Sequence, residues 1–155
     1  MTEIRMVTEE EEKSRICNEI LRGLPAWFGI EAAIVNYVKE VRELPFFAAY
    51  DGGGPVGFLA VKEHNPYTAE ICVMGVRQDR HHQGIGRALV TEAEAYCKKR
   101  QFCFFTVKTL DESADYEPYA RTRLFYHAMG FLPLEVFPLH WDKDNPCLFL
   151  AKFIG

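Results

Sequence analysis

The stretch that decides the fold is Asp79-Arg80-His81-His82-Gln83-Gly84-Ile85-Gly86-Arg87-Ala88-Leu89. An apolar run typical of a β-strand, residues 71–76, precedes it, and apolar side chains recur at helical spacing after it. The two glycines therefore open a helix. The first turn of a helix presents unpaired N–H groups and the positive end of the macrodipole, and a residue without Cβ lets a phosphate approach the backbone. The pattern predicts a cradle for an anionic cofactor.

Spacing separates the cofactor families that use such loops. A P-loop requires Gly-Lys-Ser/Thr, whereas Gly86 is followed by Arg87 and Ala88. A dinucleotide fingerprint requires a small residue where Leu89 stands. The loop instead resembles the acyl-CoA loop of the GNAT superfamily of N-acetyltransferases, which reads Arg/Gln-x-x-Gly-x-Gly/Ala. Here the six residues are His81-His82-Gln83-Gly84-Ile85-Gly86, and the departure at His81 weakens one phosphate contact.

A second motif near the C-terminus is similar to another GNAT signature. It reads Leu124-Phe125-Tyr126-His127-Ala128-Met129-Gly130-Phe131. In the family, a helix that carries Phe/Leu-Tyr ends at Gly-Phe about forty residues after the glycine loop, and Gly130 suits the left-handed position that ends a helix. A plain helix stop is the alternative. The resemblance covers roughly residues 45–153.

Composition excludes several classes of protein. The chain has 155 residues, of which 48% are hydrophobic and 14% aromatic, so we expect one globular domain over residues 1–155. A net charge of −4 gives no basic excess for nucleic acid. The sequence shows no signal-type apolar region and no apolar run near the roughly 20 residues that span a bilayer. We expect a cytoplasmic protein without a membrane partner.

Cysteine and histidine patterns do not favour a metal site. The five cysteines are an odd number without Cys-x-x-Cys spacing, which is typical of reduced, buried thiols. His81 and His82 are adjacent and lack a companion cluster of ligands, so we expect no bound metal.

The order of the predicted elements agrees with the resemblance, which implies a mixed α/β fold of the α+β type. Its central sheet would be mostly antiparallel, with about seven strands flanked by about four helices. The glycine run at residues 52–54 predicts a hairpin turn. Predicted strands lie at residues 4–7, 46–50, 56–61, 69–76, 102–107, 132–138 and 147–153, and predicted helices at 9–24, 31–44, 84–100 and 119–129.

Glu70 is the candidate general base. Alternation along the strand at residues 69–76 places it on one face with Cys72, Met74 and Val76. Apolar neighbours would make its carboxylate more basic than in water, although a solvated strand end is the alternative. Ala69-Glu70-Ile71 is also similar to the step that carries the glutamate base of the histone-acetyltransferase branch of the superfamily. His64 and His127 are the next bases to test.

The resemblance implies acyl transfer from acetyl-CoA to a primary amine by direct attack. In this reaction Glu70 would be the general base, the backbone N–H of Val76 would stabilise the oxyanion, and Tyr126 would be the general acid. A buried tyrosine that only packs is the alternative for Tyr126. A catalytically weak acyl-CoA sensor or partner-binding module is the alternative function.

Further site residues follow from the same resemblance. Trp27 and Phe28 would line the pocket of a small-molecule or peptide amine, or else pack between helices. The acidic loop at residues 109–118 would attract a cationic amine, or else be solvated. A homodimer is compatible with the family. The residues expected to bind acetyl-CoA are Met74, Val76, His81, His82, Gln83, Gly84, Ile85, Gly86, Arg87, Ala88, Thr122 and Phe125.

Overall fold

The computed structural model describes residues 2–155, which form seven β-strands and four α-helices. The strands pair in the order β1-β2-β3-β4-β5-β7-β6. β4 and β5 are parallel, whereas β1 with β2, β2 with β3, β5 with β7 and β6 with β7 are antiparallel. The predicted mixed α/β fold is therefore confirmed. The elements are β1 Glu3–Val7, α1 Glu10–Arg22, α2 Glu31–Glu40, β2 Phe46–Tyr50, β3 Pro55–Glu63, β4 Thr68–Val76, α3 Ile85–Lys99, β5 Phe104–Leu110, α4 Glu117–Ala128, β6 Leu132–Asp142 and β7 Asn145–Phe153.

The chain divides into two compact units. The first comprises residues 1–62 and 72–96, and the second comprises residues 63–71 and 97–155, so β4 contributes to both. The core of the first unit contains Phe46 and Phe58, whose rings stack with centroids 5.2 Å apart. Ile16, Ile20 and Leu21 of α1 belong to the same core, because they recur on one face of that helix.

Two glycines allow close packing in the first unit. A Cβ on Gly75 of β4 would lie 3.0 Å from side-chain atoms of both Ile20 and Leu24. A Cβ on Gly57 of β3 would lie 3.1 Å from the carbonyl oxygen of Gly75 and 3.3 Å from the side chain of Leu89 in α3. Side chains are therefore excluded where α1 meets β4 and where α3 meets β3.

Gly57→Ala is expected to lower the free energy of unfolding by about 1–3 kcal/mol, because the new methyl group would press on a backbone carbonyl that cannot rotate away. Urea denaturation measures this change. Gly53→Ala is the matched control, because its Cβ would meet only the Asp51 side chain at 3.6 Å in the exposed turn between β2 and β3. Equal stability of the two variants would contradict the packing argument.

In the second unit, pairing register sorts side chains onto two faces. Glu70 pairs with Thr106, Thr106 with Ala151, and Lys108 with Phe149, so these side chains share one face of the sheet. The alternate residues of the same strands are buried on the other face. They include Ala69, Ile71, Phe105, Val107, Leu148 and Leu150.

The structure corrects several predicted boundaries. The helix predicted at residues 31–44 ends at Glu40, and Leu44 is extended because Pro45 follows it. The strand predicted at residues 102–107 begins only at Phe104, because Gln101 has a φ of 67° in the turn after α3. β6 extends to Asp142, beyond the predicted end at residue 138.

Neither cysteine pairing nor a membrane span is found in the part of the chain that the structure describes. All five cysteines are free, and burial raises the pKa of the Cys17 thiol to about 12. Over residues 2–155, none of the helices combines the length and the apolar character that a bilayer crossing requires.

Candidate active site

The predicted cofactor cradle lies in the first unit, between β4 and α3. Gly84 has a φ of 80° and His82 a φ of 64°, and the Ala88 N–H donates to the Gly84 carbonyl at 3.0 Å. The N–H groups of residues 85–87 have no carbonyl one turn earlier inside the helix. A Cβ on Gly84 would meet no atom within 4 Å, so the backbone is open on that side. This geometry fits a phosphate group.

Two of the three arginines beside the cradle are engaged in ion pairs. Arg80 forms an ion pair with Asp51, and Arg77 forms one with Asp79 at 3.0 Å. A hydrogen bond from the Gly53 amide lowers the pKa of Asp51, and Arg80 lowers it further. Arg87 is exposed on the first turn of α3 and has no ion-pair partner among residues 2–155. Of the three arginines in this region, Arg87 is therefore the one without an ion pair among the described residues.

His81 holds the loop in place. Its Nε2 lies 2.8 Å from the carbonyl oxygen of Val76, and its ring meets the ring of Trp27 edge-on at 5.5 Å. Phe28 contacts Tyr37 at 6.2 Å, and both Trp27 and Phe28 pack against the core of the first unit. The structure thus shows packing contacts for Trp27 and Phe28, and their assignment to an acceptor pocket stays a prediction.

Glu70 lies in the second unit at the centre of a polar cluster. Glu70 is only 6% exposed, and its Oε2 accepts a hydrogen bond from Nζ of Lys108 at 2.7 Å. Its Oε1 lies 2.6 Å from Nε2 of His64, whose side chain is 36% exposed. The expectation of apolar neighbours was wrong, because the parallel register of β4 and β5 brings Lys108 onto the face of Glu70. The solvated alternative does not hold either.

A cavity of about 310 Å³ adjoins this cluster in the second unit. Two of its lining residues, His64 and Lys108, are the partners of Glu70. Sequence reasoning missed most of this wall, since its residues come from four strands and one connection between strands. The complete lining is His64, Thr68, Thr106, Lys108, Phe137, His140 and Phe149.

Tyr126 lies on α4 and is 6% exposed. Its ring packs edge-on against Phe125 at 5.5 Å and Phe131 at 5.8 Å, and Phe131 contacts Phe105. Because Phe105 alternates with Thr106 and Lys108 along β5, Tyr126 packs on the face of the sheet opposite the Glu70 cluster. The structure therefore does not bring Glu70 and Tyr126 side by side.

The end of α4 confirms the prediction for Gly130. This glycine has a φ of 96°, and the N–H of Phe131 donates to the Tyr126 carbonyl at 3.0 Å, as in a Schellman motif. One turn before Tyr126, Thr122 donates through Oγ1 to the Pro118 carbonyl at 3.4 Å. Burial raises the pKa of Tyr119, on the same helix, to about 12.

A family model, described as an acetyltransferase (GNAT) domain, matches residues 42–133, which include parts of both units. The fold and this match define the class of the protein as an acetyltransferase. No curated protein sequence matches the chain. The chain belongs to the GNAT family.

Solved structures share the fold. A protein of the GNAT family from Desulfovibrio desulfuricans has a TM-score of 0.82 at 16% identity, and all of both chains is covered. An aminoglycoside 6′-N-acetyltransferase complexed with coenzyme A has a TM-score of 0.78 at 19% identity, covering 99% of this chain and 97% of that one. The ribosomal-protein-S18-alanine N-acetyltransferase from Escherichia coli has a TM-score of 0.77 at 18% identity, covering 100% and 95%.

Proposed function

We propose that this protein transfers the acetyl group of acetyl-CoA to a primary amine. The amine nitrogen attacks the thioester carbonyl carbon, the carbon–sulfur bond breaks, the amine loses a proton and the sulfur gains one. The observation that carries the proposal is the buried Glu70 carboxylate, held between His64 and Lys108 beside a cavity, in a chain that belongs to an acetyltransferase family.

The cradle in the first unit is the proposed site for the CoA pyrophosphate. The backbone amides at the start of α3 would donate to the phosphate oxygens, with Gly84 and Gly86 keeping side chains away and Arg87 adding a positive charge. His81 would act by fixing the loop to Val76, because its Nε2 is already engaged there. Met74 and Val76 at the end of β4 would contact the pantetheine arm, as the family resemblance implies.

The His64–Glu70 pair is the proposed base. A primary ammonium group has an ordinary pKa near 10.4 and must lose its proton before it attacks. When Glu70 is ionised, Nε2–H of His64 donates to it, which leaves the Nδ1 lone pair of His64 to accept the amine proton. Lys108 keeps Glu70 in place from the other oxygen. Glu70 is thus a positioning residue, and His64, the more exposed partner, meets the amine.

Tyr126 and Val76 complete the proposed machinery. The Tyr126 hydroxyl would donate a proton to the departing sulfur, and the Val76 N–H would stabilise the oxyanion. Tyr126 packs on the sheet face opposite Glu70. We therefore assign removal of the amine proton to one face, through the His64–Glu70 pair, and donation of a proton to sulfur to the other, through Tyr126.

The experiment is calorimetric titration with acetyl-CoA, followed by a measurement of thiol release on addition of primary amines. Gly84→Val is expected to raise the Kd for acetyl-CoA at least about tenfold, because a β-branched residue is strained at a φ of 80° and would crowd the phosphate. Gly52→Val is the matched control, because it has a similar φ of 94° in the turn between β2 and β3 and should leave the Kd unchanged.

Each outcome of this experiment is decisive. Binding with amine-dependent thiol release supports the transferase. Binding without release from any amine favours the acyl-CoA sensor. No binding of acetyl-CoA by the unmodified protein would overturn the assignment of the cradle.

A further inference from the structure

The cavity of the second unit lies on the same sheet face as Glu70. Four of its strand residues, Thr68, Thr106, Lys108 and Phe149, belong to the set that the pairing register aligns with Glu70. His64 contributes from the connection between β3 and β4. An amine that occupied this cavity would lie against the proposed base.

Aromatic rings form one wall of the cavity. Phe137 and Phe149 contact each other with centroids 5.9 Å apart, and His140 lies 6.4 Å from Phe137. Nζ of Lys108 lies 5.7 Å from the centroid of Phe149, so the ammonium group borders the aromatic wall. This wall suits a flat apolar group.

The lining carries no carboxylate. Its titratable members are Lys108 and two histidines, and the carboxylate that contacts the lining, Glu70, already has one oxygen on His64 and the other on Lys108. Glu135 pairs with Phe149 in the β6–β7 register, but it does not line the cavity. A ligand with several positive charges would therefore meet the ammonium group of Lys108 and no carboxylate in the lining.

The volume indicates how much of a ligand the cavity itself accommodates. Since a water molecule occupies about 30 Å³ in the liquid, the cavity of about 310 Å³ holds the equivalent of roughly ten waters. That space suits a molecule of roughly ten to fifteen non-hydrogen atoms.

We infer that the acceptor is a small aromatic monoamine, whose ring contacts Phe137 and Phe149 and whose single amino group meets His64. This inference rests on the proposed function, since it names the substrate class of the same site. It separates the chain from fold neighbours that act on aminoglycosides, which carry several amino groups.

The test compares kcat/KM for 2-phenylethylamine, spermidine and kanamycin, measured by thiol release from acetyl-CoA. The value for 2-phenylethylamine should exceed the other two by at least about tenfold. In Phe137→Ala it should fall about tenfold, whereas the value for ethylamine, which has no ring, should stay within about threefold. Phe153→Ala, which removes a highly exposed ring outside the lining, is the matched control and should change neither value.

The outcomes distinguish this inference from the proposed function. Faster turnover of spermidine or kanamycin would overturn the inference and leave the acetyltransferase intact. A protein that binds acetyl-CoA but does not acetylate 2-phenylethylamine would also overturn it. An equal loss for 2-phenylethylamine and ethylamine in Phe137→Ala would show that the ring supports the fold instead of the ligand. Failure to bind acetyl-CoA would refute the proposed function itself.

Discussion

Glu70→Gln is expected to lower kcat by about 10²–10⁴-fold, the range that a general base contributes, because it would disable His64 as the base. The substitution keeps the shape of the side chain, and its amide oxygen can still accept from Lys108. Its amide N–H₂, however, would donate to Nε2 of His64 and move the histidine proton to Nδ1. The lone pair that should accept the amine proton would then point at residue 70. The KM for the amine should change little, because the cavity lining is untouched.

Two further variants complete this test: His64→Gln identifies the group that accepts the proton, and Glu63→Gln is the control. His64→Gln should lower kcat by a similar factor if Nδ1 of His64 accepts the amine proton. A loss below about tenfold would instead make Glu70 the direct proton acceptor. Glu63→Gln removes a nearby carboxylate that pairs with Arg100 at 3.3 Å, and its kcat should stay within about twofold. Unchanged kcat in both Glu70→Gln and His64→Gln would refute the base.

The parts of the site that sequence predicted well depend on local backbone requirements. Gly84 and Gly130 both have positive φ values, and such positions favour glycine whatever the rest of the fold does. The alternation along β4 was equally local, and Ala69, Ile71 and Val73 are buried as a strand pattern requires. These features could be predicted because each depends on a few consecutive residues.

The parts that sequence did not predict depend on strand register. Lys108 lies 38 positions after Glu70 in the chain, and only the parallel pairing of β4 with β5 brings its ammonium within 2.7 Å of the carboxylate. The sequence neighbours of Glu70 indicated apolar surroundings, but the structure places two basic side chains, His64 and Lys108, against its carboxylate. The role of Trp27 could not be decided from the sequence either, because its contact with His81 joins two loops that are distant in the chain.

Tyr126→Phe is expected to lower kcat by about 10²-fold, with acetyl-CoA binding unchanged. The substitution removes only the hydroxyl, so the ring contacts with Phe125 and Phe131 are kept. The loss should fall at the lower end of the range for acid catalysis, because a thiol with an ordinary pKa near 8.5 is already a fair leaving group. Single-turnover thiol release measures the chemical step without product release.

Tyr119→Phe is the matched control, since it deletes a hydroxyl two turns earlier on α4. Burial raises the pKa of Tyr119 to about 12, so this phenol gives up a proton less readily than an ordinary tyrosine and would be the poorer acid. Its kcat should stay within about threefold of the unmodified protein. A loss that is equal in both variants would mean that α4 needs its hydroxyls for packing. A loss confined to Tyr126→Phe assigns the proton to that hydroxyl, because the two substitutions remove the same atom from the same helix.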